Sequence, residues 1–239
     1  MSKNGFTLIE ILAVITIVAI LAGVVLSSIA GLDSAGNINT ATYQLKSLLE
    51  GARSYATANN TYVWVGFYEE ASASPGTPGI GRIVVSVVAS SDGTTVYTLP
   101  LSTTTAIDTT SATLLQVYKP VKINNVHLNM FPAGTGTGNT FAMRPAISSA
   151  TQQISPSVNP SLTTFRYPVG SATPQYTFSK AIQFSPRGEA RVDNSSNSIA
   201  PVVEIGLQPT HGTVVNTASQ NVVALQITGI AGYVTIYRQ

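Results

Sequence analysis

The chain has no cysteine, few charges and no proline before Pro75. Without cysteine there are no disulfides, thiolate metal ligands or cysteine nucleophiles; export stays open, because an oxidising compartment permits disulfides without requiring them. Charged residues make up 9% of the 239 positions, against the roughly 25% usual in soluble globular chains. So low a charge suits an extracytoplasmic or assembled protein. The formal net charge of +2 supplies no excess of the kind nucleic-acid binders use to neutralise phosphates. There is also no G-x-S-x-G elbow for a serine nucleophile and no repeat of fixed period that would signal a solenoid or propeller.

The remaining titratable residues are scattered. His127 and His211 have neither a cysteine nor a closely spaced acid beside them, so the sequence gives a zinc site no support. Asp92, Asp108, Glu69, Glu70, Glu189 and Asp193 do not recur at calcium-loop spacing. They read as solvated turns, with the Glu69-Glu70 pair ending a strand. No catalytic residue, metal or cofactor is assigned, and enzymatic activity is not expected.

The strongest positive signal is the uncharged run over residues 11–32, long enough for a helix to cross a hydrocarbon layer of about 30 Å. Lys3 precedes the run and Asp33 is the first charge after it, which places the N-terminus in the cytoplasm and the rest outside. The run is longer than the apolar region of an ordinary secretory signal and leads directly into a helical pattern. A plain anchor has no use for Glu10, which lies at the entrance to this block. A carboxylate at membrane depth costs about 2.5–3.5 kcal/mol, so its presence argues for a specific partner.

Lys3-Asn4-Gly5-Phe6-Thr7-Leu8-Ile9-Glu10 resembles the prepilin processing motif of type IV pilins and type II secretion pseudopilins. The resemblance implies cleavage by prepilin peptidase between Gly5 and Phe6, N-methylation of Phe6, and retention of the apolar helix in the mature protein. It also implies that Glu10 sets subunit register by pairing with the new amine of an adjoining subunit. At 4 Å and an effective dielectric of about 20, such a pair gains about 4 kcal/mol, comparable with the burial cost.

Beyond Asp33, apolar residues at Ile38, Ala41, Leu45, Leu48, Leu49, Ala52, Tyr55 and Ala56 mark one face of a helix that continues to about Ala58. Ser27 stands where many pilins have a helix-loosening proline, leaving Gly23, Gly31, Gly36 and the Ser27-Ser28 pair as weak points. After Asn59-Asn60 the pattern changes to short β-prone runs, predicted over 62–68, 82–89, 94–99, 114–119, 121–128, 140–144, 176–184, 190–192, 202–207, 222–226 and 234–238. Between them lie loops over 71–81, 103–111 and 133–139, and a polar stretch over 146–175, read as a surface insertion.

The expected fold class is therefore α+β, a long N-terminal transmembrane and amphipathic helix followed by a β-rich antiparallel, pilin-like head. The expected divisions are a leader over 1–5, a membrane segment over 6–32, an amphipathic segment over 33–58, and a periplasmic or extracellular head over 59–239.

A second resemblance lies in Ile182-Gln183-Phe184-Ser185-Pro186-Arg187-Gly188 and Ile227-Thr228-Gly229-Ile230-Ala231-Gly232-Tyr233-Val234, which are similar to turns of minor pseudopilins. Turn geometry alone accounts for these residues. The resemblance favours a secretion pseudopilus over a type IV pilus, with other pilin or pseudopilin subunits, prepilin peptidase and the inner membrane as partners. The alternative is a minor pilin that binds DNA or a surface. Arg187 and Arg238, with Arg191, Tyr233 and Tyr237, could then supply cations and stacking faces. There is no basic cluster, and nucleic acid is not the expected partner. A tethered enzyme borrowing the leader would need a catalytic constellation that the sequence does not contain.

Overall fold

The computed structural model describes residues 8–94, 114–155, 165–192 and 199–239, with the side chains of 22–36 outside the description. Helix α1 (Leu8–Ala58) is continuous and about 77 Å long at about 1.5 Å per residue. Every side chain over 8–21 is exposed, whereas Ile38, Ala41, Leu45, Leu49, Ala52 and Ala56 are buried, with Leu48 and Tyr55 packed beside them. The spacing of three and four thus lays one face of the helix on the head. Among the described residues no helix is long and apolar enough to cross a membrane. The described part of the apolar end, 8–21, spans only about 21 Å.

The head is built on an antiparallel sheet. Its strands are β1 (Val63–Ala71), β2 (Gly81–Ser90), β3 (Leu114–Asn129), β6 (Lys180–Phe184), β7 (Ala190–Arg191), β8 (Val202–His211), β10 (Val223–Thr228) and β11 (Val234–Arg238), in the order β11-β10-β8-β3-β2-β1-β6-β7. A short β9 (Val214–Val215) returns on the end of β8. A separate ribbon of β4 (Phe165–Tyr167) and β5 (Tyr176–Phe178) lies off the main sheet.

β1 is buried nearly throughout, because successive side chains point to opposite faces and both faces are covered. Val63, Val65 and Phe67 join the core beneath α1, while Trp64 joins a second core with Val84, Val88, Phe165, Tyr176 and Phe178. Gly66 makes the second packing possible: a Cβ there would lie 2.5 Å from Phe165 Cζ and 2.7 Å from Phe178 Cβ.

Several predicted elements change. The separate strands over 114–119 and 121–128 are one strand, since Val85 pairs with Val121 and Val87 with Tyr118, leaving Lys119 and Pro120 opposite Ser86. Pro120 has no N–H to donate and sits in that bulge without ending the strand. The run over 176–184 divides at Ser179 into β5 and β6, which belong to different layers. Residues 140–144 are not a strand: they close a turn in which Thr135, Gly136 and Gly138 N–H groups donate to Ala142, Arg144 and Met143 carbonyls. Within the polar stretch 146–175 the described residues form a single 3-10 turn (Ala150–Gln152) and β4, whose Phe165 is fully buried. The predicted strand over 94–99, apart from Thr94, and the loop over 103–111 lie outside the described residues.

Candidate functional site

Of the residues singled out by sequence, Gly5 and Phe6 lie outside the described residues, as do Asp108 and Asp193. Glu10 occupies the exposed first turn of α1, among Leu8, Ile9, Ile11 and Leu12, all more than half exposed. The exposed side chains of 8–21 form a rod that is apolar except for Glu10 and Thr16. A continuous apolar surface of this kind calls for lipid or other protein around it.

At the opposite end of α1, the helix is clasped by the two turns noted in the sequence. The Ala190 N–H donates to the Gly229 carbonyl at 2.7 Å, which joins the turn after β6 to the turn after β10. Gly232 takes φ +64° with the Gly188 carbonyl so close to its Cα that no side chain fits. The Arg53 guanidinium reaches into this junction from α1 and lies 4.5 Å from the centroid of the exposed Tyr233 ring. Arg238, at the far end of β11, donates to Asn39 of α1 and stacks 5.6 Å from the Tyr43 ring centroid. Arg187 is exposed beside Gly188, near the start of β11, so the length of that five-residue strand, about 17 Å, separates it from Arg238. The structure does not bring these two arginines together.

The head also contains charged groups that were not linked in sequence. Arg144 is buried, with Nε donating to Glu204 Oε2 at 2.6 Å, Nη2 donating to Glu204 Oε1 at 3.1 Å, and further bonds to the Phe141 and Pro132 carbonyls. The Gln226 amide donates to the same carboxylate at 2.8 Å. This network fastens the loop after β3 to the sheet. Its sequence signal was Glu204, a lone acid inside the apolar strand Val202–His211.

At the end of β1, adjacent carboxylates have opposite environments. Glu70 is fully buried; burial alone would raise its pKa, but hydrogen bonds from Arg82, the Gly76 N–H and Lys122 hold it below the usual range. Arg82 lies at 2.9 Å, Lys122 at 3.3 Å and the Tyr176 hydroxyl at 3.2 Å. Glu69 contacts His127 Nδ1 at 2.6 Å and accepts from the Leu128 N–H, yet burial dominates and raises its pKa. His127 therefore does have an acidic neighbour, 58 residues away in sequence. His211 is exposed at the end of β8. Asp92 is held down to about 2 by the Ser90 hydroxyl and by the Thr94 N–H and hydroxyl, as in a capped turn. Glu189 accepts from the Ser185 hydroxyl within the turn after β6. Among the described residues no group of three or more His, Cys, Asp or Glu side chains is placed to hold a metal ion.

Residues 1–26 match the prokaryotic N-terminal methylation motif, the prepilin-type cleavage and methylation signal of type IV pilins and pseudopilins. No curated protein and no solved structure matches the chain.

Proposed function

We propose that the chain is a structural, non-enzymatic subunit of a pilin-like filament, a pseudopilin of a type II secretion pseudopilus or a minor pilin. The observation that carries this reading is the methylation motif over residues 1–26. Prepilin peptidase cuts between Gly5 and Phe6, Phe6 is N-methylated, and the uncharged run over 11–32, about 33 Å long, holds the subunit in the inner membrane before assembly. The N-terminus then faces the cytoplasm and the head the periplasm or exterior.

Glu10 supports the reading physically. Cleavage creates a cationic amine four positions from it, and helices stacked in a filament can pair one subunit's amine with another's carboxylate. Lipid provides no hydrophobic drive between apolar helices, so close packing and this pair set the register. The separation of Arg187 from Arg238 gives no support to DNA capture by those residues.

The test is mass spectrometry of the protein purified from its native membrane, which should find a chain beginning at N-methylated Phe6. A native chain that keeps its first five residues overturns the proposal. Glu10→Gln should leave membrane insertion intact and impair incorporation into filaments.

A further inference from the structure

The divergence of β5 from β1 opens a cleft in the head. β6 pairs with β1 only as far as Phe67 opposite Lys180, after which the chain leaves the sheet at Ser179 to form the β4–β5 ribbon. The end of β1 continues without that neighbour, and the loop leading into β2 folds back over it, with the Gly79 N–H donating to the Glu69 carbonyl at 3.1 Å. The resulting cleft has a volume of about 350 Å³. Tyr68, Pro78 and Ile80 line it with largely apolar side chains, Thr177 and Ser179 are its hydroxyl-bearing residues, and Glu69 and His127 bring a carboxylate and an imidazole.

We propose that this cleft binds an alkylammonium group, with the methylene stem between Tyr68, Pro78 and Ile80 and the cationic head on the Glu69 carboxylate. The chemistry follows from what each wall can offer. Apolar walls remove a hydrocarbon stem from water, which favours its entry with each methylene buried. A carboxylate offers about four acceptor positions. His127 and the Leu128 N–H take two of those on Glu69.

Charge decides between a cationic and a neutral ligand. The neighbouring lysine and arginine are committed to Glu70, and among the described residues Glu69 has His127 as its one ionic partner. Burial is the largest influence on Glu69 and disfavours its charged form, and His127 with the Leu128 N–H offsets it only in part, so an entering cation adds to that compensation. Two sources share this chemistry, a free polyamine and a lysine side chain of an exported or neighbouring polypeptide.

The test uses the full chain in detergent micelles, titrated with n-butylamine and with its neutral counterpart n-butanol, while the His127 imidazole resonances are followed by NMR. Saturable shifts with butylammonium and none with butanol are expected. Glu69→Gln, which keeps the side-chain shape, should weaken butylammonium binding by about tenfold or more, the scale of a lost hydrogen bond to a charged group. Equal binding of the two probes, no binding of either, or undiminished binding by a folded Glu69→Gln overturns the proposal. With the site established, putrescine and the amide of Nα-acetyl-lysine separate the sources, since tighter binding of the diamine assigns it to polyamines and tighter binding of the lysine derivative to polypeptide.

Discussion

The two faces of the central sheet are covered by different means. On one face α1 lays a stripe of small and branched residues, Ile38, Ala41, Leu45, Leu49, Ala52 and Ala56, along Val63, Val65, Phe67 and Ile83. On the other face a ribbon of two three-residue strands brings Phe165, Tyr176 and Phe178 onto Trp64, Val84 and Val88. The first cover is local, periodic and long. The second is built from aromatic rings at chain positions about a hundred residues beyond the strand they cover, and it depends on the absence of a side chain at Gly66. A head that carries α1 on one side therefore needs an independent aromatic core on the other, because β1 would otherwise expose Trp64.

The comparison breaks first if the ribbon is a dispensable insertion. Phe178→Ala should cost about 3–5 kcal/mol, as large as or larger than the roughly 2–5 kcal/mol expected for Leu49→Ala beneath the helix, measured by denaturant unfolding of the purified chain. Both side chains are fully buried. A loss below about 1 kcal/mol for Phe178→Ala, within the range of ordinary surface substitutions, would mean that the second face is not a core.

This difference also governs how much of the molecule could be read from sequence. The helix stripe was legible because its period is set by neighbouring residues on one element. β4 was not, because Phe165-Arg166-Tyr167 stands alone in a stretch of Pro, Ser and Thr, and its burial comes from pairing with β5 and from the space above Gly66. The site residues divide in the same way. Gly5, Phe6 and Glu10 form a contiguous motif, whereas Glu69 and His127 meet only through strand pairing and the left-handed Asn125, φ +60°, beside a register shift in β3. Thr140 to Arg144 reads as a strand from its residue types, but strand propensity depends on context, and here the Arg144 side chain pairs with Glu204 while its carbonyl accepts from the Gly136 N–H in a turn.

Glycines sharpen the comparison with effects of opposite sign. Gly66→Ala drives a methyl into Phe165 and Phe178 and should cost about 1–3 kcal/mol through overpacking. At Gly51 of α1 an added Cβ meets only the Tyr118 hydroxyl, at an ordinary 3.6 Å. Gly51→Ala should therefore stabilise, by up to about 1 kcal/mol, through helix propensity. Thermal unfolding of the two variants side by side reads both signs, and a stabilising Gly66→Ala would show that the ribbon does not press on β1.

The smallest effects, and the most specific, come from the adjacent acids at the end of β1. Glu70 has its pKa lowered, so its contribution to stability is present above the ordinary carboxylate range and is lost as pH falls through the lowered value. Glu69 has its pKa raised, so the folded state holds its proton more tightly than the unfolded chain does; that advantage is complete below the ordinary range and is lost as pH rises through the raised value. At neutral pH the two carboxylates therefore act in opposite directions. Glu70→Gln should destabilise by about 1–3 kcal/mol, moderated because Arg82 and Lys122 keep side-chain exposures of 19% and 41% and can turn to water. Glu69→Gln, which retains an acceptor for His127, should stabilise by less than about 1 kcal/mol. Both differences from the parent should shrink on acidification, because each carboxylate then becomes as neutral as its amide replacement. Unfolding measured from neutral to acidic pH checks the pair, and a Glu69→Gln variant less stable than the parent at neutral pH would show that the bond to His127 outweighs the burial of the charge.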